Sequence, residues 1–159
     1  MNIERLKELL HYNPVTGVFT WKVSRGNRKV GSIAGRTFKG DYIQIKLDGK
    51  LYLAHRLAWL YMTGSWPSAE VDHRYLDRSD NAWDNIRLAA PSQNRCNKRA
   101  QSNNSLGVKG VYKDQGKYRA CVTFEGKHTY LGCFTTLEEA RIAYTKEVEK
   151  LHGEFARTE

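Results

Sequence analysis

The chain has 159 residues, of which 40% are hydrophobic, and carries a formal net charge of +9 at pH 7. This length suits one domain or two small ones, and no apolar run approaches the roughly 20 residues that a membrane span needs. Acidic residues interrupt the apolar stretch at the N-terminus, which excludes a signal peptide pattern. We therefore expect a soluble, intracellular protein that is not secreted. Its positive charge predicts an anionic partner, with nucleic acid favoured over an acidic membrane surface.

The spacing of the cysteines and the distribution of charge further limit the kinds of site and surface that the chain can have. The three cysteines are odd in number and far apart, and no C-x-x-C pair occurs. This spacing favours free thiols over a disulfide framework or a cysteine-rich zinc site. Residues 1–99 carry a net charge of +8, whereas residues 100–159 carry +1. The uneven distribution predicts a basic working surface backed by a solvated C-terminal helix.

The first 64 residues show alternating helical and strand patterns. We predict a helix over 3–10, a turn over 13–17, a strand over 18–23, a Gly-rich basic loop over 24–40, strands over 41–47 and 50–54, and a helix over 55–64. The dipeptide Asp48-Gly49 between two alternating runs favours a tight hairpin. Gly64, with a proline shortly beyond it, is typical of a helix end. His55 opens this helix, where a capping or core role is favoured over catalysis because helix ends need side-chain partners.

The next segment, 71–99, is rich in Asp, Asn and Arg. Two short strands are predicted over 71–73 and 86–89. The Asp/Asn-rich connection between them can hold itself rigid, because such side chains hydrogen bond to their own backbone. Pro91 suits the first turn of a helix, which we predict over 91–100.

Three residues of this segment carry the candidate chemistry. The order of strand, loop, strand and helix would bring Asp72, His73 and Asn94 to one cleft. A carboxylate and an amide oxygen are hard ligands for Mg²⁺ or Mn²⁺, and a neutral histidine can take a proton from an attacking water. Together they predict metal-assisted phosphodiester hydrolysis. On the residues alone, an ordinary Asp-His pair with surface hydrogen bonds remains the alternative.

The last third of the chain has the pattern of a separate α+β unit. Residues 101–106 are polar and without periodicity, as in a linker. Strands are predicted over 107–113, 117–124 and 127–134, followed by an amphipathic helix over 136–152. We therefore predict an α+β protein with a first domain over 1–100, a linker over 101–106 and a second domain over 107–159.

Strand alternation predicts one polar face on this second sheet. The face away from the helix would combine basic, aromatic and hydroxyl side chains, from Lys109, Tyr112, Lys113, Arg119, Thr123, His128 and Tyr130, with Cys121 among them. Two-stranded ribbons of this composition can read the major groove of DNA. A solvated sheet face, the usual place of polar strand residues, is the alternative.

The first part of the chain resembles a known family. Residues 54–99, "AHRLAWLYMTGSWPSAEVDHRYLDRSDNAWDNIRLAAPSQNRCNKR", are similar to the HNH endonucleases of bacteriophages, including homing endonucleases, and the similarity extends over roughly 5–99. The resemblance implies a ββα-metal motif with one divalent ion, Mg²⁺ or Mn²⁺. It implies that Asp72 and Asn94 bind the ion, that His73 is the general base, and that Asn85 braces the hairpin and orients His73. The family often has glycine where Leu76 stands.

A second resemblance covers the last part of the chain. Residues 107–156 are similar to AP2 DNA-binding domains, most specifically in "YLGCFTTLEEARIAY" and "LHGEFA". That resemblance implies a three-stranded antiparallel sheet, packed on one helix, which binds DNA through its outer face. It carries over as DNA contacts Lys109, Tyr112, Thr123, His128 and Tyr130, with Arg119 and Cys121 on the same face.

Together these observations predict a two-part, metal-dependent endonuclease that acts on double-stranded DNA in the cytoplasm of a bacterial host, without a small-molecule cofactor. Arg95, Lys98 and Arg99 would clamp the DNA backbone, with a solvated basic helix end as the alternative. Phosphate contacts predict strongly salt-dependent binding. A monomer and a homodimer both stay open. Two rival functions also remain: a DNA-binding regulator with a degenerate nuclease site, and RNA binding through the basic first half.

Overall fold

The structure is a computed structural model, and it describes residues 1–24, 26, 28–98 and 104–156. The chain divides into two compact units, Met1–Ala89 and Ala90–Glu159. The predicted domain boundaries and the linker over 101–106 stay predictions, because residues 101–103 lie outside the described residues. Among the residues that are described, no helix is long and apolar enough to cross a membrane.

The first unit contains two helices and three small antiparallel sheets within its described residues. In chain order the elements are α1 Ile3–Leu9, β1 Leu10–Tyr12, β2 Phe19–Trp21, β3 Arg36–Phe38, β4 Tyr42–Leu47, β5 Lys50–Leu53, α2 Ala54–Thr63, β6 Glu70–His73 and β7 Ile86–Ala89. The sheets are β1–β2, β3–β4–β5 and β6–β7. Leucine, isoleucine and aromatic side chains from both helices and from β1, β2 and β4 form one core.

Local chemistry explains the elements that the sequence located. Strands β4 and β5 form the predicted hairpin, and its turn residues Asp48 and Gly49 have φ angles of 44° and 84°, as a type I′ turn requires. Helix α2 ends at Gly64, whose φ of 79° is left-handed and whose N–H donates to the Leu60 carbonyl. Glycine adopts this conformation without the penalty that a Cβ brings.

Two strands of the first unit were not predicted. The predicted helix over 3–10 ends at Leu9, and Leu10–Tyr12 forms β1 with a buried, exposed, buried pattern against β2. Strand β3 lies within the predicted loop over 24–40, and its three residues are all exposed. Pairing with a distant strand decides both cases, and neither short segment carries that information in its own pattern.

A turn near the N-terminus holds the connection between β6 and β7. The Tyr12 hydroxyl donates to the Asn81 carbonyl at 2.7 Å, and the Trp83 N–H donates to the Pro14 carbonyl at 2.8 Å. Gly17 has a φ of 69°, and a Cβ at this position would overlap the backbone of Asn81. The first unit therefore positions the candidate site from a segment more than sixty residues away in sequence.

The second unit contains a short helix, a three-stranded antiparallel sheet and a longer helix. The elements are α3 Pro91–Asn97, β8 Val111–Asp114, β9 Lys117–Phe124, β10 Lys127–Phe134 and α4 Leu137–His152, and the strand order is β10–β9–β8. Valine, alanine and tyrosine side chains from β8, β9 and α4 form the core, and Cys96 of α3 packs against it. Helix α3 ends at Asn97, and residues 99 and 100 of the predicted helix lie outside the described residues. Strand β8 begins four residues later than predicted.

Candidate active site and nucleic-acid surface

The hairpin of β6 and β7 carries Asp72 and His73. The two strands are antiparallel, with Asp72 opposite Arg87 and His73 opposite Ile86. Asp72 is 5% exposed and His73 is 4% exposed. Burial of two adjacent polar residues at the end of a short strand is unusual, because polar groups lose hydration there and need partners. The hairpin thus holds its two chemical groups inside the first unit.

Asn85 ties the connection between the two strands together. Its side-chain oxygen accepts from the Tyr75 N–H at 2.9 Å, and its side-chain nitrogen donates to the carbonyls of Asp77 at 3.2 Å and Asp80 at 2.8 Å. Its own carbonyl accepts from the Arg74 N–H at 2.8 Å. The side chain is fully buried. One amide group therefore connects both ends of the loop that follows His73.

The rest of this loop is bonded to itself, as its composition predicted. Asp77 Oδ1 accepts from the Ser79 hydroxyl at 2.6 Å and from the backbone N–H groups of Ser79 and Asp80. These bonds, the one from the Ser79 hydroxyl above all, hold the pKa of Asp77 below its usual value. The Asp80 carboxylate accepts from the Ala82 N–H at 2.9 Å. The acidic residues of the loop thus act as turn formers.

Leu76 occupies a left-handed backbone conformation, with a φ of 62°. Residues with a Cβ adopt this conformation at a cost of about 1–2 kcal/mol. Glycine, which the resemblance above leads one to expect at this position, would adopt the same conformation without that cost.

His73 lies among aromatic rings. The His55 ring meets it edge to face, with centroids 4.9 Å apart, and the Tyr42 ring centroid lies at 5.9 Å. Burial lowers the pKa of His73, although the Asn81 side chain and the charge of Asp72 oppose the effect. A histidine with a lowered pKa is neutral at pH 7 and can accept a proton.

His55 is a second buried histidine beside His73. It is 4% exposed, and burial, followed by the charges of His73 and Arg56, lowers its pKa to about 3. Of the two structural roles predicted for His55, the core role is observed. The cap is absent, because Leu53 occupies the N-cap position of α2 and no side-chain capping bond forms there.

Arg87 is a residue of this site that the sequence interpretation missed. Its Nε donates to Asp72 Oδ2 at 3.1 Å, and both side chains are 6% exposed. The two residues lie directly opposite each other on β6 and β7. A basic residue inside the otherwise apolar run "IRLA" was the available signal, since a buried cation needs an anionic partner.

Asn94, the second predicted metal ligand, lies on α3 in the second unit. Its N–H donates to the Ala90 carbonyl at 2.9 Å in the first turn of the helix. That Asn94 and Asp72 bind the same ion stays a prediction. Arg95 and Lys98 are exposed near the end of α3, and the third predicted clamp residue, Arg99, lies outside the described residues.

The two predicted ligands are oxygen donors of the kind that a hard divalent ion prefers: Asp72 of the first unit offers a carboxylate, and Asn94 of the second unit offers an amide oxygen. No cluster of three or more His, Cys, Asp or Glu side chains that could hold a metal occurs among the residues with described positions. Arg87 bonds one oxygen of the Asp72 carboxylate, and a carboxylate can accept such a bond while its other oxygen coordinates an ion.

The register of the second sheet places most of the predicted polar face together. Tyr112 lies opposite Arg119, Cys121 opposite Tyr130, and Thr123 opposite His128. The Thr123 hydroxyl and His128 Nδ1 are 3.0 Å apart. Arg119 also forms an exposed ion pair with Asp114. These cross-strand pairs share one face because directly opposed residues point to the same side of a sheet.

Two members of the predicted face are not among these cross-strand pairs. Lys113 is opposite Tyr118, which packs on the core, so its placement beside Tyr112 was wrong, since neighbours along a strand point to opposite sides. Lys109 precedes β8, and its ammonium group donates to the Cys96 carbonyl of α3 at 2.7 Å. DNA contact by either lysine stays a prediction.

A cleft of about 490 Å³ in the second unit gathers several predicted DNA contacts. Its lining includes Arg95 of α3 together with Lys109, Tyr112, Thr123 and His128. Cys121 also lines this cleft and is buried, although it lies on the face away from the core. The short helix α3 thus shares one concave surface with the sheet.

Residues 52–96 match a family model described as HNH endonuclease. The chain is 34% identical over 106 residues to Protein 3.8 of Escherichia phage T7, an alignment covering 65% of this chain and 87% of that protein. It is 36% identical over 109 residues to an uncharacterized HNH endonuclease of Acanthamoeba polyphaga mimivirus. That alignment covers 68% of this chain and 57% of the mimivirus protein. No solved structure matches the chain.

Proposed function

The chain belongs to the HNH endonuclease family, and we propose that it is a metal-dependent endonuclease that hydrolyses phosphodiester bonds of double-stranded DNA. One observation carries the proposal. A neutral, buried histidine, His73, directly follows a buried carboxylate, Asp72, on a hairpin whose loop Asn85 holds in place. A base and a hard metal ligand on one rigid element are what such a hydrolysis needs.

The roles of the residues follow from their chemistry. His73 takes a proton from the attacking water, which requires the neutral imidazole that its lowered pKa provides. Asp72 and Asn94 would hold the divalent ion, which supplies charge stabilisation for the phosphate when bound. Asn85 keeps the end of β6 in register with the loop, and it orients His73 by fixing the backbone that follows.

The second unit would target this chemistry to DNA. We assign it as an AP2-like unit whose sheet face and cleft contact the duplex. Support comes from the shared face of Tyr112, Arg119, Thr123, His128 and Tyr130 and from the exposed cations at the end of α3. Aromatic, hydroxyl and guanidinium groups on one ribbon supply both base and phosphate contacts.

A DNA-binding regulator with a degenerate nuclease site is the second candidate function. It is favoured by the hydrogen bond that Arg87 Nε donates to Asp72 Oδ2 at 3.1 Å, because Asp72 is the carboxylate proposed to bind the metal. Its predictions differ from those of the enzyme, because a regulator binds DNA with or without a divalent ion and leaves the strands intact.

Nicking of supercoiled plasmid by the full chain tests the enzyme against the regulator. We expect conversion to open-circular or linear DNA with Mg²⁺ or Mn²⁺, no conversion with EDTA, and recovery when the ion is returned in excess. Phage DNA serves as a second substrate. Intact plasmid under every metal condition, or cleavage that EDTA does not affect, would contradict the proposed reaction.

Location and copy number are two further parts of the proposal. The T7 relative is a bacteriophage protein, from which we infer action in the cytoplasm of a bacterial host. One copy carries one His73 and would nick one strand, whereas a pair of copies could cut both. The ratio of open-circular to linear plasmid early in the reaction separates the two.

The targeting role of the sheet predicts weaker DNA binding when its outer face is changed. Replacing Arg119 with Gln and Tyr130 with Ala together should raise the Kd for duplex DNA by about tenfold or more, since each such contact contributes about 1–3 kcal/mol. Mobility shifts of the full chain in EDTA measure this change. Arg141→Gln on the solvated helix α4 is the matched control. Equal affinity of the double variant and the control would argue against an AP2-like binding face.

A further inference from the structure

Arg78 lies in the loop between β6 and β7, on the side of Tyr42. The centre of its guanidinium group is 5.1 Å from the centroid of the Tyr42 ring. Its Nη1 donates one long hydrogen bond, 3.4 Å, to the Gly40 carbonyl. The Arg78 side chain is otherwise exposed. Stacking on an aromatic ring holds a guanidinium in place while its N–H edge stays available to a ligand.

The Tyr42 ring connects this cation to the proposed base. Its centroid is 5.9 Å from the His73 ring and 5.4 Å from the His55 ring. The guanidinium of Arg78 and the imidazole of His73 therefore contact the same phenol ring. A phosphate bonded by Arg78 would therefore lie close to the proposed base, His73, since both residues contact the Tyr42 ring.

Two fixed elements of the first unit surround Arg78. Gly40, whose carbonyl accepts the bond from Arg78, has a φ of 72°, a left-handed conformation that favours glycine. The loop that carries Arg78 is fixed by the Asp77 turn and by Asn85. A rigid loop places the cation without the entropy loss that ordering a mobile arginine requires.

Within the described ranges no ion pair joins Arg78 to Asp or Glu, whereas Arg5 is paired with Asp48 and Arg87 with Asp72. The preceding residue, Asp77, directs its carboxylate to Ser79 and Asp80 instead. The rigid fork of a guanidinium suits two oxygens of one phosphate.

We propose that Arg78 binds a phosphate of the DNA strand beside the scissile bond, and so adds a substrate contact to the site of His73. The proposal rests on the proposed function, since it places the DNA backbone next to the general base. Arg78 thus gives the first unit a phosphate contact of its own, separate from the contacts of the AP2-like sheet.

Salt dependence of DNA binding tests this contact without requiring cleavage. In the full chain carrying His73→Ala, the slope of log affinity against log salt for a duplex should become shallower by about 0.9 when Arg78 is changed to Gln, as for the loss of one phosphate contact. Arg78→Lys, which keeps the charge, should retain most of the slope. Arg141→Gln removes an exposed charge from α4 and should leave the slope unchanged.

The position of the contact is tested in the active chain. Arg78→Gln should lower kcat/KM for nicking by about tenfold or more, because it removes a charge-assisted hydrogen bond to the phosphate, while the unfolding midpoint stays near that of the parent. An unchanged salt slope in Arg78→Gln overturns the proposal, whatever the nicking rate. A parent chain that never nicks, combined with a shallower slope in Arg78→Gln, instead overturns the proposed reaction and keeps the phosphate contact.

Discussion

Replacing His73 with alanine should lower the rate of plasmid nicking by about 10²–10⁴-fold, the usual contribution of a general base. The buried imidazole is neutral at pH 7 because burial lowers its pKa, so the wild-type protein has its base ready at neutral pH. Initial rates of open-circular product formation at saturating Mg²⁺ measure the loss. Affinity for DNA in EDTA should stay close to that of the wild type, because the side chain is 4% exposed.

The pH profile supplies an independent readout of the same base. Since the pKa of His73 lies below its ordinary value, the nicking rate should be level between about pH 7 and 8 and should fall on acidification below the ordinary histidine range of about 6.5. His11→Ala is the matched control, because His11 lies exposed on β1 of the same unit. Nicking by His73→Ala at the rate of His11→Ala would show that another group activates the water.

Replacing Arg87 with methionine should destabilise the first unit by about 3–5 kcal/mol, the cost of removing one partner from a buried ion pair. The Asp72 carboxylate would keep its burial and lose the donor that bonds it at 3.1 Å. All four tryptophans lie between positions 21 and 83, so tryptophan fluorescence during urea unfolding reports on this unit. Its midpoint and slope give the change in unfolding free energy.

Two comparisons isolate the buried pair. Arg5→Met breaks a pair of similar geometry with Asp48, but its side chains are about 40% exposed, and its unfolding midpoint should stay near that of the wild type. The double variant Asp72→Leu with Arg87→Met should recover much of the lost stability, because no buried charge then remains from the pair. A single variant Arg87→Met as stable as Arg5→Met would show that the Asp72 carboxylate is satisfied without Arg87.

Local sequence signals predicted the parts of the fold that local physics controls. Strand β7 and strands β9 and β10 have the predicted bounds. The turn between β9 and β10 contains Gly126, which adopts its φ of 80° without a steric penalty. The self-bonded loop after His73 follows from short Asp side chains that accept backbone N–H groups two or three residues away. Such interactions act within a few residues, so the sequence pattern reports them directly.

Strand register was less predictable. Lys113 was expected on the outer face with Tyr112, but its pairing with Tyr118 places it on the other side. Consecutive residues of a strand cannot share a face in any register. The run "GVKGVYK" does not show which of the two points outward, because a shift of one residue reverses every side chain. Lys109 lies before β8, which begins only at Val111, so strand alternation does not set its direction.

By itself the sequence determined the hairpin with Asp72 and His73, the bounds of β7, β9 and β10, and the family to which the chain belongs. Only the tertiary structure decided the partners of these groups: Arg87 against Asp72, His55 and Tyr42 against His73, and Arg78 above Tyr42. The reason is physical. Short-range hydrogen bonds and side-chain periodicity involve residues that are close in sequence, whereas burial and charge pairing depend on which distant segments pack together.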